Sequence, residues 1–288
     1  MSDRIEVQKT YKTYVGGAFP RSESGHYYKV YDSEGDFLAN ACRCSRKDVR
    51  DAVKIARGAF KGWSSRTAYN RGQILYRIAE MMENRRDQFV KELSSIGFKA
   101  EEAQADINAS IDRLIYYAGW TDKYQQVFGS VNPVASAHFN FSILEPTGVV
   151  TIIAPENSPL LGLVSVIAPV IAGGNTCLVL ASQQYPLPAI SFAEVLNSSD
   201  VPGGVINIIT GLREELLEHF SSHMDVNAVF ATDVLDEESK KQMDELASNN
   251  LKRVVRHNIE DWYDHENESP YFITDFQETK TTWHPVGF

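Results

Sequence analysis

The chain has 288 residues, of which 43% are hydrophobic and 23% are charged, and its formal net charge is -10 at pH 7. A chain of this length can bury most of its apolar surface without disulfides or a metal, as one large domain or two ordinary ones. The negative charge argues against nucleic acid or an anionic membrane surface as the main partner. No apolar stretch reaches the roughly 18 residues of a membrane span, and the N-terminus lacks a secretion signal. We therefore expect a cytoplasmic protein.

Helical periodicity dominates the first half of the chain. Ser45 and Asp48 form a capping-box pair before an apolar series at helical spacing, which predicts a helix over 45–63. Two further apolar series predict helices over 69–84 and 100–126. The predicted buried positions are Val49, Ala52, Val53, Ala56, Phe60, Trp63, Leu75, Ile78, Ala79, Met82, Ile107, Ile111, Leu114, Ile115 and Ala118.

The pattern then changes to strict alternation. Phe139, Phe141 and Ile143 alternate with polar residues, which is typical of a strand with one buried face. The sequence therefore predicts that these three apolar side chains are buried. His138, on the other side of the same strand, is predicted to face solvent.

From Thr147 onward, short apolar runs alternate with helix-like segments. Near-continuous apolar strands of this kind are typical of a parallel sheet that helices cover on both faces. The sequence therefore predicts a doubly wound α/β fold with a ligand crevice beyond the carboxyl ends of the strands. The predicted strands are VVTIIA, TCLVL, VINIIT, NAVF and RVVR, and the helices between them are LLGLVSVIAPVIAG, LPAISFAEVLNSS, REELLEHFSS and EESKKQMDELAS.

The end of the chain follows a different pattern. After Ile259 the segment EDWYDHENESP is polar and acidic, as expected of a connector. Residues 271–276 and 280–286 then predict two terminal strands that form a hairpin. Because an isolated hairpin is marginally stable at best, it needs another sheet or chain to pack against.

A series of motifs runs along nearly the whole chain: YVGGAFPRSESG, DVRDAVKIARGAFKGWS, RIAEMMENRRDQF, YYAGWTDK, EPTGVV, AGGNT, VPGGVINIITG, NLKRV and ETKTTWHPVGF. In this order the motifs resemble the aldehyde dehydrogenase superfamily. The resemblance implies a Rossmann-like cofactor-binding domain with N-terminal helices, a catalytic domain and a small antiparallel oligomerisation sheet. In dimers of that superfamily, the oligomerisation sheet of one subunit packs against the catalytic domain of the other.

The resemblance also implies a domain division. It assigns residues 1–128 and 146–260 to the nucleotide-binding domain, and residues 129–145 and 270–288 to oligomerisation strands. The catalytic domain of the family lies between the motifs NLKRV and ETKTTW, where this chain has only a short connector. That connector is too short for a βαβ unit. We therefore expect the catalytic domain, which carries the nucleophilic cysteine, to be absent.

The chain has three cysteines, Cys42, Cys44 and Cys177. None lies in a motif that resembles the family's nucleophile motif, and the chemistry of the family needs a thiolate to attack the aldehyde carbonyl. Their number and spacing fit neither a disulfide framework nor a zinc site, so no metal is expected. We predict that they are small buried residues, with Cys177 inside a strand.

Two positions resemble catalytic positions of the family. Asn157, in the turn APENSP, matches the asparagine that stabilises the oxyanion, but Glu156 and Ser158 replace the usual aromatic neighbours. A carboxylate at Glu156 would oppose a developing negative charge if it pointed the same way. Capping preference favours Asn157 as a helix N-cap or turn residue. His257 lies near the general-base position, but without a thioester to hydrolyse it is predicted to be a surface or strand-end histidine.

The cofactor-binding positions also depart from the family pattern. The lysine and glutamate that hold the adenosine ribose are replaced by Leu180 and Gln183. The FTGS turn reads FATD, with Thr232 and Asp233 in place of glycine and serine, and the glycines expected after Gly211 are missing. Losing several charge-assisted bonds of about 1.5–3 kcal/mol each would weaken NAD binding about a thousandfold or more. No cofactor is expected, and NAD is possible only as a weak ligand. The degenerate crevice is predicted to contain Ile153, Ala154, Pro155, Leu180, Gln183, Gly211, Thr232 and Asp233.

Four functions compete on this basis. The first is a non-catalytic subunit that assembles through its C-terminal strand with an active full-length aldehyde dehydrogenase or with itself. The second is an NAD-dependent aldehyde oxidoreductase of atypical mechanism that uses His257 or Asn157. The third is a weak nucleotide sensor, and the fourth is a relic without a role. The first is favoured because the oligomerisation strands persist, and exposed strand edges need a covering partner.

Overall fold

The computed structural model describes residues 9–232 and 235–287. Its strands form a two-stranded, a three-stranded and a five-stranded sheet. None of the helices in the described ranges is both long and apolar enough to cross a membrane. The strands, in chain order, are β1 (Tyr27–Tyr31), β2 (Phe37–Cys42), β3 (Ser130–Asn132), β4 (His138–Pro146), β5 (Val149–Ile153), β6 (Thr176–Leu180), β7 (Ile206–Ile209), β8 (Ala228–Ala231), β9 (Arg253–Arg256) and β10 (Gln277–Pro285). The helices are α1 (Arg46–Ser64), α2 (Ala68–Glu83), α3 (Arg86–Ser95), α4 (Ala100–Trp120), α5 (Tyr124–Phe128), α6 (Leu161–Ala172), α7 (Leu187–Asn197), α8 (Arg213–Ser222), α9 (Glu237–Ser248) and α10 (Tyr271–Thr274).

The first helix begins at the predicted capping box. The Ser45 amide donates to Asp48 Oδ2 at 2.7 Å, and the Ser45 hydroxyl accepts from the Lys47 amide at 3.3 Å. These bonds satisfy backbone donors that have no partner inside the helix. The apolar face of α1 is buried as predicted, except that Phe60 is only half-buried.

The helix predicted over 100–126 is in fact two helices, α4 and α5. At Thr121 the amide and the hydroxyl donate to the Ala118 carbonyl at 3.4 and 2.9 Å, and the chain turns. The turn places the Tyr124 ring in the core, whereas Ile115, predicted to be buried, is 42% exposed. Helix α3 and the antiparallel hairpin of β1 and β2 were also absent from the sequence-based prediction.

The five-stranded sheet confirms the predicted doubly wound fold. Its strands are parallel and follow the order β7-β6-β5-β8-β9. Val150 and Ile152 pack with α6 and α7 on one face, whereas Val149 and Ile153 pack with α1 and α8 on the other. Because the strand order reverses at β5, a crevice is expected at the carboxyl ends of the strands beside it.

The three-stranded sheet is antiparallel and has the order β10-β4-β3. Strand β10 pairs with β4 along its whole length, from Gln277 opposite Pro146 to Pro285 opposite His138. The terminal strand that the sequence predicts is therefore present. Its partner is a strand from the middle of the chain and not the segment directly before it.

Residues 271–276, predicted as a strand, contain the short helix α10. Pro270 precedes this helix with φ -65° and ψ -19°, so the chain enters a helical turn. Ile273 and Phe276 then lie on one side of the turn and are fully buried in the main core. The predicted terminal hairpin is therefore wrong, because contact with the core favours the helical spacing of these two side chains.

The three-stranded sheet exposes the face that the sequence predicts as buried. Phe139 and Ile143 are 48% and 39% exposed, whereas Asn140 on the opposite face is 2% exposed. The Asn132 side-chain amide donates to Asn140 Oδ1 at 2.6 Å, whereas Asn140 Nδ2 has no partner among the described residues. The predicted burial of the phenylalanines is therefore wrong for this chain by itself. We call the exposed surface formed by Val131, Phe139, Phe141 and Ile143 the apolar face.

The connector between β9 and β10 is packed against helices α4 and α6. The buried Arg113 guanidinium donates to the carbonyls of Asn267 and Trp262 at 2.5 and 3.0 Å. It also donates to Ser165 Oγ of α6 at 3.0 Å, and its Nε lies 3.3 Å from the Glu268 carboxylate. The polar connector that the sequence predicts is thus anchored to the core by one buried cation.

Candidate functional site

The candidate site is the crevice at the carboxyl ends of β5, β6 and β7. Ile153 ends β5, and Ala154 and Pro155 continue the chain into the crevice as buried residues. The Ala154 amide donates to the Leu180 carbonyl at 3.0 Å, which extends the pairing of β5 with β6. The structure thus places these four predicted crevice residues along one edge of the sheet.

Glu156 is the central side chain of the crevice. Its carboxylate accepts from the Ser182 hydroxyl at 2.5 Å and from the amides of Gln183 and Gln184 at 3.1 Å each. Arg213 donates to the same carboxylate and forms an ion pair with it. Only about a quarter of each side chain of this pair is exposed, 25% for Glu156 and 23% for Arg213. One carboxylate therefore joins the loops after β5 and β6 to the start of α8.

Sequence reasoning missed Arg213, although its position carries a signal. Arg213 is the first residue of α8, where the helix dipole disfavours a cation, so a carboxylate partner nearby is needed. The Arg213 amide donates to Gln183 Oε1 at 2.9 Å. Gln183 therefore caps a helix whose N-cap residue, Leu212, has no side-chain acceptor.

Three backbone donors at this edge of the sheet are already paired. In a diphosphate site, amides of a loop and of a helix N-terminus point at the ligand. Here the amides of Gln183 and Gln184 bond to Glu156, and the Arg213 amide bonds to Gln183. The remaining cavity has a volume of about 640 Å³ and lies between β1, the loop after β6 and the Glu156–Arg213 pair. These residues do not fit the diphosphate of a dinucleotide.

Two of the other predicted cofactor positions, Leu180 and Gly211, have no polar side-chain group that could hold a nucleotide. Leu180 is 2% exposed and contributes only an alkyl chain. Thr232 is also buried, and its hydroxyl has no hydrogen-bond partner among the described residues. A Cβ at Gly211 would lie 2.7 Å from Leu216 Cδ1, so this glycine allows helix α8 to pack closely. Asp233 lies outside the described residues.

Asn157 lies in the turn between β5 and α6, and its side chain is exposed. The helix begins at Leu161, too far along the chain for Asn157 to be its N-cap. Instead Ser158 Oγ accepts from the Gly162 amide at 2.8 Å, and Asp106 Oδ1 accepts from the Leu161 amide at 3.1 Å. The N-cap prediction is therefore wrong and the turn prediction is right.

Asp106, which sequence reasoning missed, is the most perturbed carboxyl group at this edge. It comes from the middle of α4 and is 2% exposed. Burial raises the pKa of Asp106 to about 6, although hydrogen bonds from the Leu161 amide and the Tyr263 hydroxyl favour the ionised form. An acid in the middle of an amphipathic helix is normally exposed. The sequence pattern therefore gives little indication that Asp106 is buried.

His257 follows β9 and is turned into the protein. Its Nε2 lies 2.8 Å from Asp275 Oδ2, and its ring lies 4.9 Å from the Phe230 ring and 4.2 Å from the Phe272 ring. Strand β8 lies between β5 and β9, so the ends of these two strands are roughly 10 Å apart. The structure therefore does not bring His257 and Asn157 to one reacting centre.

The three cysteines are buried, as predicted. Burial raises the pKa of the Cys177 thiol inside β6. Burial, with the nearby Asp48 carboxylate, raises the pKa of Cys44 well above its ordinary value. Because the thiolate is the nucleophilic form, neither group is poised to attack a carbonyl. Within the described ranges, no cluster of three or more His, Cys, Asp or Glu side chains could hold a metal ion.

Comparison with known proteins agrees with the fold and the motif order. The sequence model of the aldehyde dehydrogenase family matches residues 19–256. The chain belongs to the aldehyde dehydrogenase family. The match ends where β9 ends, directly before the connector that Arg113 anchors.

Curated relatives in this aldehyde dehydrogenase family are longer than the chain, and it matches about half of the length of two of them. It is 34% identical over 258 residues to "Aldehyde dehydrogenase, cytosolic 1" of Elephantulus edwardii, which covers 87% of the chain and 50% of the relative. It is 32% identical over 262 residues to "Putative aldehyde dehydrogenase DhaS" of Bacillus subtilis, covering 88% of the chain and 52% of that protein. The chain thus spans about half the length of the curated relatives it matches.

Solved structures of aldehyde dehydrogenases match the described fold. An NAD+ complex of the aldehyde dehydrogenase from Bacillus cereus is 27% identical, with a TM-score of 0.81, and the match covers 86% of this chain and 50% of that one. Betaine aldehyde dehydrogenase from Staphylococcus aureus, also solved with NAD+, gives the same identity, TM-score and coverage. The family fold is therefore preserved over most of this chain, which corresponds to about half of each solved structure.

Proposed function

We propose that this chain is a non-catalytic member of the aldehyde dehydrogenase family. It assembles through its three-stranded sheet with a family member that carries a catalytic domain, or with a second copy of itself. The observation that carries the proposal is the apolar face, which is exposed although its residues have the pattern of a buried strand face. We place the protein in the cytoplasm, as the name of one relative states for that relative.

The absence of turnover is supported by the cysteines and by the positions of the other two candidate residues. The family's chemistry begins with attack of a thiolate on the aldehyde, and the three thiols of this chain are buried. The Asn157 amide is exposed in its turn, whereas His257 is paired with Asp275 two strands away. No acyl-enzyme intermediate can form on these groups as they are arranged.

Productive NAD binding is disfavoured by the crevice. The Glu156–Arg213 pair occupies the amides of the loop after β6, and Gln183 caps the helix end that would face a diphosphate. A carboxylate at this place also repels a diphosphate. We therefore assign the crevice a structural role, in which the ion pair holds three loops together.

Assembly is supported by the composition of the apolar face. Phe139 and Phe141 lie with ring centroids 5.5 Å apart, and Val131 stands opposite Phe141 on β3. Aromatic side chains in an exposed, contiguous group are typical of protein interfaces. The neighbouring strand edge of β3 also has unpaired backbone groups that a partner would cover.

The decisive experiment measures the native mass of the purified chain, alone and co-expressed with a full-length relative. We expect an assembly in wild type that dissociates in Phe139→Lys, because a lysine there must be desolvated in the interface. A hot-spot loss of about 2 kcal/mol would weaken assembly about thirtyfold. Met224→Lys is the matched control, because Met224 is exposed and belongs to the loop after α8 and not to the three-stranded sheet. A wild-type chain that stays monomeric in both preparations contradicts the proposal.

A further inference from the structure

A second, smaller cavity lies away from the crevice, at the N-terminal end of the described chain. Its volume is about 290 Å³. Three segments form its walls: residues 10–12, residues 21, 22 and 25–27, and residues 40–42 at the end of β2. None of the groups discussed for the crevice belongs to these walls, so the cavity, which we call the basic pocket, is independent of the assembly proposal.

The charge of the basic pocket is opposite to that of the protein. Lys12, Arg21 and His26 contribute to its walls, and no carboxylate of the described residues does. Neither Lys12 nor Arg21 forms an ion pair with a described carboxylate, although the whole chain has an excess of acidic residues. Two acids near this wall are paired with other cations: Glu215 with Arg43, and Glu23 with Lys47 at 2.8 Å. Three basic residues around one cavity, without an ion-pair partner for Lys12 or Arg21 among the described carboxylates, indicate a site for an anion.

The walls of the basic pocket are held in place by backbone contacts. The Arg43 amide donates to the His26 carbonyl at 3.0 Å, and the Gly25 amide donates to the Ser22 carbonyl at 3.0 Å. Gly25 has a φ of +72°, a conformation that favours glycine, so the turn that presents His26 is fixed by its sequence. The Cys42 thiol contacts the Tyr11 carbonyl at 3.8 Å and connects the first and third walls.

Neutral donors complete the basic pocket. The Tyr11 hydroxyl is used elsewhere, since it donates to Glu92, and the Ser22 hydroxyl donates to the His26 carbonyl. Thr10 and Asn40 also line the basic pocket. This donor set suits a small anion with several acceptor oxygens, and a phosphate monoester carries about -1.5 to -2 charge with three such oxygens.

We propose that the basic pocket binds the phosphate group of a small phosphorylated molecule. Lys12 and Arg21 supply the opposing charges, and the hydroxyl and amide donors fix the orientation of the oxygens. The volume of about 290 Å³ accommodates the phosphate with a small organic group but excludes a dinucleotide.

Titration with inorganic phosphate at constant ionic strength, followed by calorimetry, tests this proposal. We expect saturable binding with a millimolar or lower dissociation constant, weakened about tenfold or more in Lys12→Gln and in Arg21→Gln. Lys29→Gln is the matched control, because Lys29 is an exposed cation of the crevice wall and not of the basic pocket. Thermal melting checks that the variants fold, which is expected because neither Lys12 nor Arg21 has a described hydrogen-bond partner.

Three results overturn the proposal. The first is a titration in which wild type shows no saturation. The second is binding that Lys12→Gln and Arg21→Gln leave unchanged, and the third is an equal loss in Lys29→Gln, which would place the anion in the crevice. Acetate in place of phosphate separates the ligand classes, since a single carboxylate that binds as tightly would assign the basic pocket to carboxylates.

Discussion

At the residue scale, Asp106 couples the stability of the fold to pH. Burial raises the pKa of its carboxyl group from 3.8 to about 6. Between these values the folded state binds more protons than the unfolded state, so stability falls as pH rises through this window. The favourable contribution is fully present below pH 3.8 and is lost above about pH 6. Asparagine would keep the oxygen that accepts from the Leu161 amide and cannot ionise.

We therefore predict that Asp106→Asn gains stability over wild type as the pH rises. Between about pH 4.5 and 7.5 the free energy of unfolding of the variant should increase relative to wild type by about 2 kcal/mol. Urea denaturation at both pH values measures this difference. Asp112→Asn is the control on the same helix, because Asp112 is exposed. A pH-independent difference in Asp106→Asn would show that the carboxyl group of Asp106 titrates normally.

The crevice residues show why a site of this kind is only partly readable from sequence. Leu180 and Thr232 are visible as departures from a family motif, and the structure describes both as buried. The ion pair of Glu156 with Arg213 joins residues 57 positions apart, and only the order of β5, β6 and β7 in the sheet brings them together. The family motif identifies the positions that depart from the family pattern, but not the contacts that the substituted residues make.

At the scale of elements, how well the sequence predicts a strand or helix depends on how deeply that element is buried. Strands β5 to β8 are buried on both faces, so their apolar runs have one interpretation, and they were predicted correctly. The segment 271–276 is short, and its apolar residues fit a strand or a helical turn equally well. Packing of Ile273 and Phe276 in the core favours the helical turn. The local sequence does not reveal that contact.

A substitution of Arg113 tests how the connector between β9 and β10 is held against the core. We predict that Arg113→Ala destabilises the fold by about 3 kcal/mol, because it leaves buried carbonyls of the connector and the Glu268 carboxylate without their donor. Hydrogen exchange should increase first in residues 259–269, through local opening, whereas the amides of β5 to β8 exchange faster only through global unfolding. Arg113→Lys, which keeps the charge but loses the planar donor geometry, should lie between wild type and Arg113→Ala. Equal exchange of the connector in all three proteins would contradict its docking through Arg113.

At the scale of the whole molecule, the family fold is combined with a crevice whose loops are bonded to one another and with an exposed apolar sheet face. The five-stranded sheet keeps the family topology, while its carboxyl edge is closed by internal bonds. The connector is anchored to α4 and α6, and β10 pairs with β4 to present the apolar face outward. Stability thus comes from the preserved core, and the exposed sheet is the surface most suited to a partner.

The hydrogen bonds that join the crevice loops also predict how tightly the protein binds NAD. A structure whose loops are joined by the Glu156–Arg213 pair must break several hydrogen bonds before a diphosphate can approach the amides of Gln183 and Gln184. We expect a dissociation constant above about 1 mM, which corresponds to a binding free energy weaker than about 4 kcal/mol. Isothermal calorimetry measures it, with the Bacillus cereus enzyme as the positive control because its NAD+ complex is solved.

A measurement of enzymatic activity tests independently whether the chain binds and uses NAD. Aldehyde-dependent formation of NADH by the purified chain should stay at the background level, and His257→Ala should leave that level unchanged because the imidazole is paired with Asp275. Micromolar affinity for NAD would mean that the Glu156–Arg213 pair opens at little cost, and the crevice would then be a nucleotide site. Turnover that disappears in His257→Ala would go further, since it would require a nucleophile other than a buried thiol.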